Sequence, residues 1–195
     1  MTIQFPPLRN SCLRNKKQWT KSVPLFPYLV NRMVHVYLSG PIINSELRMD
    51  DFYHSVIDAL EKQGTTVFAP QFLPPVDSVH VYKRDVDQVS KSDLLIAEVS
   101  HASLGVGMEI MLAIRLKKPI LLFRHKNARP LSLMVKGADG TALFEYSDLS
   151  EVVNVLRTRA LNDLIITQCP SCDSQVVEKT GTMMICAQCE KKHTM

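Results

Sequence analysis

Four cysteines near the end of the chain have the spacing of metal ligands. Cys169 and Cys172 form one C-x-x-C pair, Cys186 and Cys189 form a second, and residues 173–185 lie between the pairs. A gap of two residues lets both sulfurs of a pair reach one ion, and four thiolates satisfy tetrahedral zinc. The pattern predicts a structural zinc ribbon over residues 163–195. Paired disulfides or a redox site are the alternatives.

Carboxylates and hydroxyls with the chemistry of a substrate site occur in three separate segments. Tyr37 and Gly40 end one apolar segment, Asp85 precedes another, and Glu109 follows a loop of small residues near a helix N-terminus. That loop contains Ser103, Gly105 and Gly107. Backbone N–H groups at such a position can hold an anionic group or a sugar hydroxyl.

Each of these residues also has a structural interpretation. A glutamate in the first helical turn is often only a favourable partner of the helix dipole. Asp85 is also typical of a surface helix, and Tyr37 of a core aromatic whose hydroxyl finds a partner. Spacing alone therefore leaves both interpretations open.

Alternating strand-like and helix-like segments position these side chains. The run Asp93–Val99 is almost continuously apolar, which is typical of a central parallel strand covered on both faces. The predicted strands are Val34–Leu38, Thr65–Ala69, Asp93–Val99, Pro119–Phe123 and Ala142–Tyr146. The predicted helices are Ser45–Gln63, Val81–Ser90, Met108–Leu116 and Leu149–Leu161. This order predicts an α/β domain over residues 34–162, with a Rossmann-like, three-layer parallel sheet of about five strands and ligands at the carboxyl ends of the strands.

The composition is that of a globular protein, with 46% hydrophobic and 22% charged residues. No apolar run approaches the roughly 18 residues that span a bilayer, and no secretory signal is evident, so we expect a cytoplasmic protein without membrane contact.

The first 33 residues differ in charge from the rest of the chain. Residues 1–33 carry six basic groups and no acidic group, which leaves 17 basic and 19 acidic residues for residues 34–195. We interpret residues 1–33 as a disordered leader, and contact of this basic segment with nucleic acid is a less favoured alternative. Met33 directly precedes the first predicted strand, so a true start at Met33 is a further alternative.

The segment from Asp93 to Glu109, DLLIAEVSHASLGVGME, closely resembles the 2′-deoxynucleoside 5′-phosphate N-hydrolases of the nucleoside 2-deoxyribosyltransferase superfamily. The first strand and loop of that family are similar to YLSGPI from Tyr37. The stretch with its second acid resembles RDVD from Arg84, and its late loop resembles PLSLMVKG from Pro130. The resemblance covers roughly residues 34–150.

This resemblance implies a role for each matching residue. Glu109 falls on the nucleophilic carboxylate, Asp85 on the acid that assists base departure, and Tyr37 on the tyrosine that orients the nucleophile. Gly40 falls on a glycine close to the nucleoside, and Ser132 on a serine that reaches the phosphate of the neighbouring subunit in a homodimer. Phosphate-binding positions fall on Ser103, Gly105 and Gly107. The implied reaction is hydrolysis of the N-glycosidic bond of 2′-deoxynucleoside 5′-monophosphates through a covalent glycosyl–glutamate intermediate, without a cofactor for catalysis.

The chain departs from the pattern of these hydrolases at four positions. An arginine of the family is replaced by Ile43, and a histidine by Gln71. An aromatic residue is replaced by Met108, and a glycine by Met111. The changes bear on phosphate, base and sugar recognition. Candidates to replace the missing cation are Arg48, Arg84 and Arg129.

Two other functions fit the same residues. A deoxyribosyltransferase would pass the sugar to a second base, and a non-catalytic nucleotide sensor would bind without turnover. Retention of Tyr37, Asp85 and Glu109 together argues against the sensor. The role of the ribbon is open among nucleic-acid binding, packing against the catalytic domain and docking of a partner. Because acidic residues offset its basic ones, nucleic acid is not favoured.

Overall fold

The computed structural model describes residues 33–43, 47–74 and 76–194. The predicted leader lies outside the described residues, apart from Met33. A five-stranded parallel sheet with helices on both faces is followed by a four-stranded antiparallel sheet.

All five strands of the first sheet are parallel and stand in the order β2-β1-β3-β4-β5. They are β1 (His35–Ser39), β2 (Thr66–Phe68), β3 (Leu94–Glu98), β4 (Ile120–His125) and β5 (Thr141–Tyr146). Every residue of β3 is buried, as expected for a central strand covered by helices on both faces. The predicted α/β class and five-stranded parallel sheet are confirmed.

Five helices accompany the sheet. They are α1 (Asp50–Glu61), α2 (Ser78–Lys91), α3 (Leu104–Arg115), α4 (Leu133–Lys136) and α5 (Leu149–Thr158). A 3-10 turn, Pro70–Phe72, follows β2. Among the described residues no helix is both long and apolar enough to cross a membrane.

The two faces of the sheet support separate apolar clusters, because successive side chains of a strand point to opposite faces. On β1, Val36 and Leu38 join a cluster with α1 and α5. Tyr37 joins the other cluster, which contains Val89 of α2 and Ile110 of α3. The fold therefore has three layers, with α1 and α5 packed together on one face and α2 and α3 on the other.

The four-cysteine segment forms the second sheet, in the order β6-β7-β8-β9. Its strands are β6 (Leu164–Ile166), β7 (Val176–Thr180), β8 (Met183–Cys186) and β9 (Lys192–Thr194), and all neighbours are antiparallel. Buried residues of this segment belong to the same apolar cluster as α1 and α5.

Two helices that carry predicted site residues begin earlier than the sequence predicted. Helix α3 begins at Leu104 and not at Met108, so Glu109 lies in its second turn. Helix α2 begins at Ser78 and not at Val81, because the Asp77 side chain accepts hydrogen bonds from the N–H groups of Val79 and His80 and caps the helix.

Candidate active site

The Glu109 carboxylate is hydrogen-bonded through both oxygens to the end of β1. The Tyr37 hydroxyl donates to Oε1 at 2.8 Å. The Ser39 hydroxyl donates to Oε2. Tyr37 and Ser39 are two residues apart on one strand, so both side chains point to the face that α3 covers. Both are fully buried, and the carboxylate therefore has a fixed position at the carboxyl end of the sheet.

Burial raises the pKa of Glu109 from 4.5 to about 7. The hydrogen bonds from Ser39 and Tyr37 oppose this shift because they favour the ionised form. The negative charge of Asp85 raises the pKa further, and the guanidinium of Arg84 lowers it. Near neutral pH the carboxylate is therefore present in both protonation states.

Tyr37 serves this site as a hydrogen-bond donor. Burial, followed by the negative charges of Glu109 and Asp85, raises the pKa of the Tyr37 hydroxyl far above its ordinary value. The phenol therefore keeps its proton at any physiological pH and directs it at Glu109.

Asp85 reaches the same site from α2 and carries an ion pair. The Arg84 Nε donates to Asp85 Oδ1 at 2.7 Å, and the two side chains are only 19% and 14% exposed. The Arg84 guanidinium also lies over the Phe68 ring, 5.9 Å from its centroid. The structure thus brings Tyr37, Asp85 and Glu109 into one partly buried cluster, together with the cation of Arg84.

Gly40 follows Ser39 in the turn that leaves β1. A Cβ atom at this position would lie 2.0 Å from the Tyr53 hydroxyl oxygen. No side chain fits in that space, so the backbone passes directly over Tyr53.

The remaining predicted binding residues lie at the start of α3 and at the start of α4. Ser103 immediately precedes α3, and Gly105 and Gly107 are exposed residues inside the helix and not in a loop before it. A groove of about 1590 Å³ separates α3 from residues 129–139, and its lining includes Ser103, Gly107 and Ser132. The lining of this groove does not include Glu109 or Gly105.

A second buried carboxylate, Glu98, lies on the opposite face of the sheet from Glu109. It accepts hydrogen bonds from the backbone N–H and the hydroxyl of Ser100, and from the Tyr146 hydroxyl at 3.2 Å. Burial raises its pKa. Because alternate residues of β3 face opposite sides, Glu98 is not the second carboxylate of the Glu109 site.

The four cysteines of the ribbon converge, with all four sulfurs within 4.8 Å of one another. Cys169 Sγ is 3.7 Å from Cys189 Sγ, and Cys172 Sγ is 3.5 Å from Cys186 Sγ. Disulfide sulfurs are about 2.05 Å apart, whereas sulfurs at about 2.3 Å from a tetrahedral zinc are about 3.8 Å apart. The donor set and its spacing therefore fit a metal ion.

Backbone N–H groups point at two of these sulfurs. Ser171 donates to Cys169 Sγ at 3.3 Å, and Gln188 and Cys189 each donate to Cys186 Sγ at 3.4 Å. Such bonds stabilise thiolate, which is the form that coordinates metal.

One family pattern matches most of the chain. The pattern of nucleoside 2-deoxyribosyltransferases covers residues 36–181, which includes the sheet, the Glu109 cluster and the first half of the ribbon. The chain belongs to this family.

Within the family, the chain is similar to proteins named as N-hydrolases. It is 45% identical over 69 residues to a 5-hydroxymethyl-dUMP N-hydrolase of Tetraodon nigroviridis, covering 35% of this chain and 49% of that protein. The corresponding N-hydrolase of Esox lucius is 33% identical over 130 residues, which are 60% of this chain and 88% of that protein. A putative 2′-deoxynucleoside 5′-phosphate N-hydrolase 1 of Thermofilum pendens is 30% identical over 131 residues, which are 62% of this chain and 91% of that protein. The chain spans about half the length of several such relatives.

A solved structure of a CMP N-glycosidase from Clostridium botulinum shares the fold. The TM-score is 0.53 at 21% identity, and the match covers 64% of this chain and 99% of that one.

The positions at which the chain departs from the family's hydrolases have different surroundings. Ile43 is fully exposed, and Met108 and Met111 line the groove beside α3. Gln71 is buried, and its Nε2 donates to the Leu38 carbonyl at 3.3 Å while its Oε1 has no partner among the described residues.

Of the cations proposed to replace the family's arginine, two are engaged in ion pairs. Arg48 pairs with Asp50 at 2.5 Å, and Arg84 with Asp85. Arg129 lines the groove that also contains Ser132.

Sequence reasoning missed Ser39, although a signal for it was present. The predicted strand ended at Leu38, but continuing its alternation by one residue puts Ser39 on the same face as Tyr37. The ion pair of Arg84 with its neighbour Asp85 had no such signal, because adjacent residues of a helix do not normally face each other.

Proposed function

We propose that the protein hydrolyses the N-glycosidic bond of 2′-deoxynucleoside 5′-monophosphates and releases a free base and deoxyribose 5-phosphate. The observation that carries this proposal is the partly buried Glu109 carboxylate, held through both oxygens, with a second carboxylate, Asp85, acting on it electrostatically. The N-hydrolase names of the relatives support the substrate class.

In the first proposed step, a Glu109 oxygen attacks C1′ and the bond from C1′ to the base nitrogen breaks. The electron pair of that bond leaves with the base, which takes a proton from Asp85. Two carboxylates that divide the roles of nucleophile and acid are the common arrangement for glycosidic cleavage. This step requires one proton on the pair of carboxylates, with Glu109 ionised and Asp85 protonated. The ion pair with Arg84 leaves Oδ2 of Asp85 open, and we assign to that oxygen a proton taken up when substrate binds.

In the second step, a water molecule attacks C1′ and transfers a proton to Asp85. The bond between C1′ and Glu109 breaks, and both carboxyl groups regain their starting forms. The Tyr37 and Ser39 hydroxyls stabilise the departing carboxylate, as they do in the resting site. If a second base intercepted the intermediate instead of water, the protein would be a transferase.

The binding roles are proposals of the same kind. We assign the sugar to the segment at Gly40, which directly follows the carboxyl end of β1 and Ser39. The phosphate is assigned to the start of α3, at Ser103, Gly105 and Gly107, and to Ser132 of a second subunit. Exposed apolar side chains along the groove support a homodimer, in particular Leu104, Met108, Leu133 and Met134.

We assign zinc to the four-cysteine site, in a structural role. Four thiolates at tetrahedral spacing leave no open position for a substrate. Metal analysis of the reduced protein should find about one zinc per chain. A chain purified under reducing conditions without metal would contradict the assignment. A reduced four-thiolate site also agrees with the cytoplasmic location that we propose.

The activity is tested by incubating the protein with nucleosides and 5′-monophosphates, with and without a second free base, and following base release by chromatography. Hydrolysis of monophosphates without an acceptor supports the proposal, and exchange that requires an acceptor identifies a transferase.

Variants separate catalysis from binding. We expect Glu109→Ala to abolish turnover and Asp85→Asn to reduce it by roughly 100-fold or more. Asp87→Asn is the matched control, because Asp87 lies on the same helix but pairs with Lys91 at the exposed surface. If no substrate is turned over and Glu109→Ala binds nucleotide as tightly as wild type, both enzyme functions are excluded and the sensor remains.

A further inference from the structure

The four-cysteine segment shares its core with the α/β sheet. Leu164, Val176 and Ala187 of the segment belong to the same buried cluster as Phe144 of β5 and Leu156 of α5. Disorder in the segment would therefore expose apolar surface of the sheet as well as its own.

A buried arginine fastens the second cysteine pair to the end of α5. The Arg159 side chain is 6% exposed, and its Nε donates to the carbonyl of Ala187, between Cys186 and Cys189, at 2.8 Å. It also forms an ion pair with Glu190 at 2.7 Å. Loss of these partners would leave the buried charge of Arg159 unpaired, which is strongly destabilising. The Arg159 contacts therefore favour the observed backbone conformation of the cysteine pair.

Gln175 connects the first cysteine pair to the start of β5. Its side-chain Oε1 accepts a hydrogen bond from the Gly140 N–H at 2.8 Å, and its backbone N–H donates to the Thr141 carbonyl at 2.8 Å. Gly140 has a φ of +70°, and a Cβ atom there would lie 3.0 Å from Ile166 Cδ1 on β6. The ribbon thus holds the backbone at Gly140 in a conformation that side chains disfavour.

Gly140 is the last residue of the loop that carries Ser132 and directly precedes β5. Residues 129–139 form one wall of the groove beside α3, and the chain passes from that wall through Gly140 into β5. The Thr141 hydroxyl donates to the Ala138 carbonyl at 3.0 Å and joins the end of this loop to β5. The position of the wall therefore depends on the residues that fix Gly140 and Thr141.

The conformation of Gln175 depends in turn on the first cysteine pair. The Cys169 N–H donates to the Ser174 carbonyl at 2.9 Å, and the Thr167 N–H donates to the Gln175 carbonyl at 3.0 Å. These bonds close a turn around Cys169 and Cys172, whose thiolates a metal ion would hold in place. Without the ion, the four sulfurs are no longer tied to one another, and the turn loses a constraint.

We propose that the metal-loaded ribbon supports the substrate groove, and that Gln175 is the positioning residue that transmits this support to the loop of Ser132. The assignment of a substrate to that loop rests on the proposed function, whereas the support of the loop by the ribbon does not. Metal removal will loosen residues 130–141 and weaken monophosphate binding more than the chemical step at Glu109. The reason is that Tyr37 and α2 pack in the apolar cluster on one face of the sheet, whereas the ribbon packs in the cluster on the other face.

The test is amide hydrogen exchange of the full chain, as purified and after stripping with a chelator under reducing conditions. We expect faster exchange over residues 130–141 in stripped protein and restoration on adding zinc. Amide exchange is also compared between wild type and two metal-loaded variants. Gln175→Leu loses the side-chain oxygen that accepts from the Gly140 N–H, and Gln175→Glu keeps an acceptor oxygen. Thr180→Ala at the exposed end of β7 is the control for a change within the ribbon.

Gln175→Leu with normal zinc content should exchange faster at Gly140 and show a KM for monophosphate raised roughly two- to tenfold with kcat little changed. Gln175→Glu and Thr180→Ala should resemble wild type. Unchanged exchange over residues 130–141 in Gln175→Leu overturns the inference, whether or not stripped protein unfolds. If no variant, wild type included, hydrolyses any substrate while loop exchange still follows Gln175, the proposed function fails and the support of the loop stands.

Discussion

Removal of the Ser39 hydroxyl tests how the site sets the protonation of Glu109, the proposed nucleophile. In Ser39→Ala, Glu109 keeps the hydrogen bond from Tyr37 but loses the donor to Oε2. The lost bond favoured the ionised carboxylate, while burial, which favours the neutral acid, is unchanged. We therefore expect the pKa of Glu109 to rise above its wild-type value of about 7.

The size of the effect follows from the strength of a hydrogen bond to a charged group. Such bonds contribute about 1.5–3 kcal/mol, and about 1.4 kcal/mol corresponds to one pH unit. The midpoint for ionisation of Glu109 should therefore move upward by about one to two pH units. Because the nucleophile must be ionised, activity is present above this midpoint and lost as the pH falls through it.

The assay is the pH dependence of kcat/KM for a 5′-monophosphate between about pH 5 and pH 10, which reports ionisations of the free enzyme. We expect Ser39→Ala to be strongly impaired at pH 7 and to recover much of its activity at the alkaline end. Ser39→Thr retains the hydroxyl and should keep a midpoint near that of wild type. Ser90→Ala is the control, since Ser90 is an exposed serine of α2 whose hydroxyl donates to the Val86 carbonyl at 2.7 Å.

Two results would refute this reasoning. An acid limb with the same midpoint in Ser39→Ala and wild type would show that the hydroxyl does not act on the carboxylate. A uniform loss at every pH would assign Ser39 a role in packing or substrate contact instead.

Three further predictions concern stability. Because burial raises the pKa of Glu109 from 4.5 to about 7, the folded state takes up a proton between these values, and stability falls as pH rises through this window. Glu109→Gln should therefore stabilise the protein more at pH 8 than at pH 5, and the difference in unfolding free energy should be up to about 3 kcal/mol. Melting temperatures at the two pH values measure this effect, and equal stabilisation at both would contradict the prediction. Gly40→Ala places a Cβ 2.0 Å from the Tyr53 hydroxyl oxygen, so we expect a loss of about 1–3 kcal/mol in thermal unfolding and of activity. Asp77→Ala removes the cap of α2 and should cost about 1 kcal/mol, measured by denaturant titration, with little change at the site if Asp85 stays in place.

The central strands of the sheet could be predicted from the sequence because burial on both faces leaves a nearly continuous apolar run. The run from Leu94 to Glu98 is an example, and its position in the centre of the sheet agrees with that pattern. The start of α3 could not be predicted in the same way. Gly105 and Gly107 favour a loop by about 1 kcal/mol each, yet Val106 and Ile110 are buried against the sheet and this packing extends the helix to Leu104.

The sequence by itself determined the α/β fold, the four cysteines with the spacing of metal ligands, and the choice of Glu109, Asp85 and Tyr37 as candidates. These depend on local spacing, on alternation, or on a motif contained in a short segment. Only the tertiary structure decided that Ser39 completes the carboxylate site and that Arg84 pairs with Asp85.

Only the tertiary structure also showed that Gln175 accepts from the Gly140 N–H at the end of the Ser132 loop, and that Arg159 donates to the Ala187 carbonyl in the second cysteine pair. Glu109 and Ser39 are 70 residues apart in the chain, and Gln175 and Gly140 are 35 apart. No local pattern encodes such pairs, because each contact exists only after the elements have packed and their polar groups, removed from water, require a partner.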